Sequence, residues 1–598
     1  MKFLNLFLLI TAVFFINAQE SVSFRSNSLG NAIDDDLDLV FDPIEIQFVE
    51  GVRLYTNLSN LTSNQEEFFD NVSDDEFLIG VSFKNSLLPN KLRQALLVRF
   101  ENTETPRLND GQDGTTSEQQ TYYDLDDFEN VDRQISTNTT RTHFDTENSY
   151  SIVLNNSVNF LDFIVGGKIS LINSDESFND ANSTLGTGGP TGLLSQVYYN
   201  SPTFSQIYES VYLDSFEDDL NLTETGNFDT QENYSYQMFD FSFLLPDYNG
   251  YEFTSTLNYS IINEQTKTED LYNGEYEYDD YWNEDENNYS ETEFYKSNKK
   301  SEGTAITLGS SLRKVFSKQS ERKNDGFYEL SAALKFGDLD YTNNEINTFS
   351  SSNRNYIGDD WQNNVDETYN WQTSIIDQGS TELGGYSLSA RLNIPLNKIH
   401  FGISAMLDHS TSARSTDYYE SHNSVKDVDY LYDADIGYWY WDYYGYWEWV
   451  EIIASPDYTR TVDHSLTADR SYDLSHTTFV FPVGLEYILN EKNNLSMRFG
   501  SIFTNTSTTI DDVKEIRNFE PETTVVDYVD NNYDDDSIDV EDITVTSYTN
   551  SSTTVSSSTV FTYGIGFNPT ENLQIDLLGM GRGDFEFDGA RISFTMKF

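Results

Sequence analysis

Gly589-Ala590-Arg591-Ile592-Ser593-Phe594-Thr595-Met596-Lys597-Phe598 closes the chain. Ala590, Ile592, Phe594, Met596 and Phe598 are apolar, and Arg591, Ser593, Thr595 and Lys597 between them are polar. A side-chain period of two puts these sets on opposite faces of a β-strand. The strand runs to the last carboxylate and ends on an aromatic, where a sandwich strand would more often fray.

The same alternation recurs upstream, in pairs. Phe77, Ile79, Val81 and Phe83 lead through a short turn at 87–91 into 92–100. Tyr386, Leu388, Ala390, Leu392, Ile394 and Leu396 share one face, with Ser387, Ser389, Arg391 and Asn393 on the other, and 399–407 follows at once. Equivalent pairs read at 150–158 with 163–171, 239–245 with 253–259, 303–316 with 327–336, 477–489 with 494–503, and 559–567 with 572–580. Short turns inside pairs and long polar stretches between them predict an all-β fold. The expected form is a transmembrane antiparallel β-barrel of about 16 strands (14–16), with short periplasmic turns and long extracellular loops. The first strand is expected near 44–56, paired with the last. The spacing is too irregular for a solenoid, while a multi-domain sandwich shares the period.

The chain has 598 residues, 100 Asp+Glu against 35 Lys+Arg, and a net charge of −65. Such a charge repels phosphates, so nucleic acid is not a partner. Residues 1–18 read as a signal peptide: Lys2, an apolar run from Leu4 to Ile16, and a small residue, Ala18, before Gln19. Cysteine is absent, which suits a closed sheet that needs no covalent staples. The expected organisation is a signal peptide (1–18), a periplasmic or lumen-plugging segment (19–43) and the barrel (44–598), located in the outer membrane.

On the polar strand faces stand Lys168, Arg313, Lys335, Arg391, Arg498, Arg591 and Glu486, with Asp240, Glu329 and Asp576 among the acids beside them. In a barrel these point into the lumen, where charges pair into a stiffening lattice or select solutes. Three acidic, aromatic-rich stretches, 264–296, 427–451 and 511–543, are expected as loops. They either pack on one another or contact an extracellular ligand such as a glycan or protein. Asp530, Asn532, Asp534 and Glu541 follow positions one, three, five and twelve of a calcium loop, although Asp535 stands where that loop needs Gly. Loosely bound calcium is the one cofactor expectation. The six histidines form no zinc or hydrolase motif. Asp408-His409-Ser410, Ser421-His422-Asn423 and Asp463-His464-Ser465 supply hydrolase residue types without defining a triad, which is a spatial object. The chain does not read as an enzyme.

The paired strands and the closing Phe598 resemble Gram-negative outer-membrane β-barrels. The resemblance implies that Phe598 is the insertion signal read by the barrel-assembly machinery, and that outer-membrane lipid surrounds the apolar faces. The segment Ser28 to Ile44 is similar to the N-terminal segment of FadL-like outer-membrane transport proteins, with Gly30, Ala32, Asp34, Asp35 and Pro43 matching and Asp42 and Ile44 departing. That resemblance implies a plugged barrel passing small hydrophobic molecules. Two functions stay open: a channel or transporter for small solutes with an N-terminal plug, or a non-transport surface platform whose loops bind a partner, glycan or divalent cation.

Overall fold

The computed structural model describes residues 23–58, 73–84, 92–104, 114–123, 131–160, 163–189, 192–193, 212–213, 218–280, 285–319, 321–356, 365–430, 437–441, 447–451, 457–489, 495–528, 537–540, 547–570, 572–582 and 589–598. The first eight long strands are β1 (Arg53–Leu58), β2 (Ser73–Lys84), β3 (Leu92–Glu104), β4 (Val131–Phe160), β5 (Phe163–Gly189), β6 (Asp218–Leu244), β7 (Tyr251–Asp280) and β8 (Asp285–Ser317). The rest are β9 (Gly326–Tyr356), β10 (Val365–Leu396), β11 (Ile399–Tyr430), β12 (Tyr458–Ile488), β13 (Leu495–Tyr528), β14 (Tyr548–Thr570), β15 (Leu573–Arg582) and β16 (Gly589–Lys597). Each pairs antiparallel with the next, and β16 returns to β1, Arg53 facing Lys597 and Leu58 facing Ile592. Among the described residues, 16 strands thus close into a ring. Closure removes the unpaired edges that an open sheet would expose to lipid. The seam extends one step further: the Phe598 N–H donates to the Val52 carbonyl at 2.9 Å, and the Val52 N–H donates back to the Phe598 carbonyl at 3.3 Å.

Outward-facing apolar side chains form a belt next to the tight turns. On β9 they are Tyr328, Leu330, Leu334 and Phe336; on β12, Phe479, Leu485 and Tyr487; on β13, Met497, Phe499 and Phe503, all exposed. Beyond Phe336 the outward positions of β9 become Asp338, Asp340, Thr342 and Asn344. A spanning strand needs about 9–11 residues, yet β10 has 32 and β13 has 34. Some 20 residues of each long strand, roughly 65 Å of strand at 3.3 Å per residue, therefore lie above the belt.

This extended wall corrects the expected loops. Within 264–296, residues 264–280 and 285–296 are wall: β7 and β8 stay in register from Tyr251↔Lys314 to Asp280↔Asp285. Most of 511–543 is also wall, since β13 continues to Tyr528 and a strand at Ser537–Val540 pairs onto it. In 427–451, β11 reaches Tyr430 and a separate hairpin pairs Gly437–Trp441 with Trp447–Glu451. Above the belt polar residues stand on the outer face and are mixed with buried rings and aliphatics such as Tyr272, Tyr341, Tyr472 and Leu474 on the inner one, so the apolar/polar alternation that marks a strand is lost. Tyr and Thr keep the β preference without it.

The barrel begins at Arg53 rather than at 44. The Asp42 carboxylate accepts the N–H groups of Ile44 at 2.7 Å and Glu45 at 2.9 Å. This turns the chain into a 3-10 helix, Glu45–Phe48, before β1.

Candidate functional site: the N-terminal segment and the inner wall

Two short helices, α1 (Phe24–Ser28) and α2 (Asp36–Phe41), carry the chain from Ser23 to Asp42. Ser23 caps α1, accepting the Ser26 N–H at 3.4 Å while its hydroxyl donates to Asp35 at 2.8 Å. Between the helices Gly30 and Asn31 adopt φ of +62° and +58°, a left-handed pair that reverses the chain. The segment touches β4 at Asn155, β5 at Gly166, β8 at Arg313, β10 at Arg391, β11 at Gly402, β12 at Gly484 and Glu486, β13 at Gly500 and β14 at Gly564. A chain that reaches so many strands of one closed ring lies inside it.

Its two sides meet different walls. Leu37, Leu39, Val40, Phe41, Ile46 and Val49 pack on Tyr55, Leu78, Ala95, Leu97 and Val153 of β1–β4. There the strands are apolar on both faces, which explains why 77–81 and 95–98 read as near-continuous apolar runs. On the opposite side the backbone sits on inward glycines. A Cβ at Gly484 would stand 2.4 Å from the Leu29 carbonyl, at Gly500 2.3 Å from the Gly30 nitrogen, and at Gly402 2.6 Å from the Ala32 carbonyl. These three are neighbours in register, Gly402↔Gly484↔Gly500. At Gly166 a Cβ would overlap the Pro43 carbonyl at 2.0 Å.

Ion pairs complete the seat. Arg25 meets Glu486 at 2.7 Å, and the same carboxylate takes Arg498 at 2.8 Å, which continues to Asp576 at 2.5 Å. Asp34 holds Arg391 at 2.7 Å, and Glu45 holds Arg313 at 2.9 Å beside Glu329. The turn between β8 and β9 folds inward as well. Its 3-10 helix, Arg322–Asn324, places Lys323 3.3 Å from both Asp35 and Asp36, and Arg322 on Glu45 and Glu252. Away from the segment, Lys168 pairs with Asp240 at 2.8 Å and Lys335 with Asp408 at 3.1 Å.

Of the residues expected at the lumen, Lys168, Arg313, Lys335, Arg391, Glu486 and Arg498 all stand in ion pairs. The side chain of Arg591, the candidate calcium residues Asp530, Asn532, Asp534 and Glu541, and residues 1–18 lie outside the described residues. In the N-terminal segment, Gly30 contacts Ser501, Asp34 and Asp35 make ion pairs, Ala32 is buried and Pro43 abuts Gly166. Sequence reasoning missed Arg25, Glu45, Arg322, Lys323 and the glycine seat. The signal available was Lys318, Arg322 and Lys323 gathered in one short turn of a very acidic chain. Phe598 is exposed at the seam. The hydrolase-like neighbours separate, because adjacent strand residues face opposite ways. Ser410 is buried on the inner face, while His409 contacts outward Tyr386.

A closed antiparallel ring with an outward apolar belt, a polar inner wall and a seam at the chain ends defines an outer-membrane β-barrel protein. No protein-family model and no curated protein matches the chain. Among solved structures, the open form of the ferric-catecholate import receptor Fiu from E. coli K12 is similar at 7% identity and a TM-score of 0.22, covering 92% of this chain and 82% of that one. The ferric yersiniabactin uptake receptor FyuA from Yersinia pestis is similar at 8% identity and a TM-score of 0.15, covering 92% and 80%. The copper transporter OprC is similar at 7% identity and a TM-score of 0.12, covering 92% and 80%. The ring itself carries the fold.

Proposed function

We propose that the protein is a solute channel or transporter whose N-terminal segment, residues 23–50, is a displaceable plug. The supporting observation is how the segment is held. It sits in a glycine-lined seat and is fastened by ion pairs to β8, β10, β12 and the β8–β9 turn. Buried ion pairs cost nearly as much desolvation as they return in attraction, while breaking one is expensive. They therefore fix position and register more than they add net stability, which suits a part that must seat correctly and still be withdrawn. A plug lodged in a barrel is also what the FadL-like resemblance implies, and small hydrophobic solutes follow from that resemblance alone.

The same proposal includes export by cleavage after Ala18, insertion by the barrel-assembly machinery through Phe598, and residence among outer-membrane lipids. The test is planar-bilayer conductance and solute uptake for the full chain against a deletion of 20–42. Larger, steadier conductance in the deletion supports the plug, and unchanged conductance and uptake remove the transport reading. The long wall above the belt favours a second reading, a surface platform, which requires the deletion to leave conductance unchanged.

A further inference from the structure

Strands β4 to β14 run to between 23 and 34 residues, while β15, β16, β1, β2 and β3 stop after 10, 9, 6, 12 and 13. Above the short strands the described wall is therefore an open sheet, with β4 at one side and β14 at the other. The β4 side is covered. β3 pairs with it from Thr146 to Val158, and a short strand, Gly114–Tyr123, pairs with it from Val131 to Arg141. The β14 side is bare. Among the described residues, Tyr548 to Thr559 pair only with β13, in an unbroken register from Tyr548↔Lys514 to Thr559↔Phe503, and β15 ends with Arg582 opposite Val560.

Every residue from Tyr548 to Thr559 is exposed, on the inner face as well as the outer. Two strands away in the same register, Leu474, His476 and Thr478 stand level with Ser552, Thr554 and Ser556 and are buried. In an antiparallel ladder every second residue turns its N–H and C=O to the far side. Those of 548–559 line roughly 40 Å of open edge at 3.3 Å per residue. Proteins blunt such an edge with Lys or another charge, with Pro or with a bulge, and 548–559 has none of these. In a chain of net charge −65, the whole stretch 543–570 holds no charged residue, and 549–559 is Ser and Thr apart from Asn550 and Val555.

We propose that the β14 edge, Tyr548–Thr559, takes an extended, basic segment of another polypeptide as an added strand. Backbone groups supply the hydrogen bonds. The small side chains leave space on both faces for longer ones on the guest. The acidic barrel attracts cations, and the neutral edge does not repel what arrives. A second copy of the chain fits this edge poorly. In one membrane it stands the same way up, so its β14 runs parallel to the first. Two-fold symmetry then sets each residue opposite its own equivalent, both aimed at the partner, whereas a parallel ladder needs one of each facing pair aimed away. The inference goes beyond transport and holds whether or not a solute crosses.

The test uses the full chain in detergent micelles and a labelled probe peptide, (Lys-Val-Thr-Val)3, beside (Glu-Val-Thr-Val)3 and the basic peptide with Pro at every third position. Fluorescence anisotropy should show saturable binding of the basic peptide, binding at least tenfold weaker for the acidic one, and none for the Pro analogue. Amide exchange within 548–559 should slow when the basic peptide binds. Thr553→Pro and Thr554→Pro separate the strand's two edges, since one of these neighbours aims its N–H at β13 and the other away from it. The variant that keeps the folded barrel's gel mobility should bind at least tenfold more weakly. The proposal is overturned if the basic peptide does not bind, if the acidic or Pro peptide binds as tightly, or if both Pro variants bind as the parent does. It is equally overturned if exchange in 548–559 ignores the peptide, or if the edge-facing amides are already protected without it, as they would be under a second copy or another part of the chain.

Discussion

Arg25, near the start of the chain, and Glu486, on β12, are joined at 2.7 Å across 461 residues of sequence, both buried. Glu486 also receives Arg498, so one wall carboxylate serves the N-terminal segment and the barrel lattice together. Replacing Glu486 by Gln leaves two guanidinium groups facing a neutral amide inside the barrel. Losing one partner of a buried pair costs about 3–5 kcal/mol. The expected outcome is protease cleavage within 23–50 in the folded variant and flickering conductance where the parent is quiet. A variant as resistant and as quiet as the parent would show that this pair does not hold the segment.

The glycine seat gives a steric test that leaves charge unchanged. Gly484→Val places a branched side chain where the first added carbon already stands 2.4 Å from the Leu29 carbonyl. Valine suits a strand, so the ring should assemble while the segment is displaced. Spin labels in the segment should become mobile, with the folded barrel's gel mobility unaltered. The control is Ser310→Val, at a position on the outer face.

The β8–β9 turn meets the segment through Lys323 and Arg322. Lys323→Ala removes contacts at 3.3 Å to Asp35 and Asp36 and leaves those buried carboxylates with fewer cations. A double-mutant cycle with Asp35→Asn, read as protease susceptibility of the segment, should give a coupling of about 1–3 kcal/mol if the two act as a pair. Additive effects would assign Lys323 to the turn alone.

Above the belt, burial pushes the Glu264 carboxyl up from 4.5 to about 7, although the Tyr236 hydroxyl donates to it at 2.6 Å and Arg414 attracts it. Burial and the charge of Asp270 likewise raise Glu293 to about 7. Between pH 4.5 and 7 the folded state holds protons that the unfolded chain has released. Stability therefore falls as pH rises through that window and levels off above it. The urea midpoint in micelles should drop from pH 4.5 to 7.5, and Glu264→Gln should flatten the slope. The gain for that variant at pH 8 is on the order of 3 kcal/mol at most. A midpoint rising with pH by the same amount in parent and variant would contradict the assignment.

Much was legible before the fold was known. The closing strand and the paired alternation come from local period-two patterning, which a bilayer enforces because the outward face must be predominantly apolar. That reading located the belt and a strand number near 16. It failed at 264–296, where polar residues stand on both faces of the strand and leave no alternation to read, and at 44–56, where one Asp42 side chain turns the chain away from the sheet.

The sequence by itself determined the architecture, since a strand's faces are set by neighbours two residues apart. Only the tertiary structure decided what the charges do. Arg25 and Glu486, Asp34 and Arg391, Lys323 and Asp35 are hundreds of residues apart and meet because the ring closes around the segment. No local pattern encodes that meeting, because the partners are chosen by ring closure at Arg53 and Lys597 and by the three glycines that let a backbone lie against the wall.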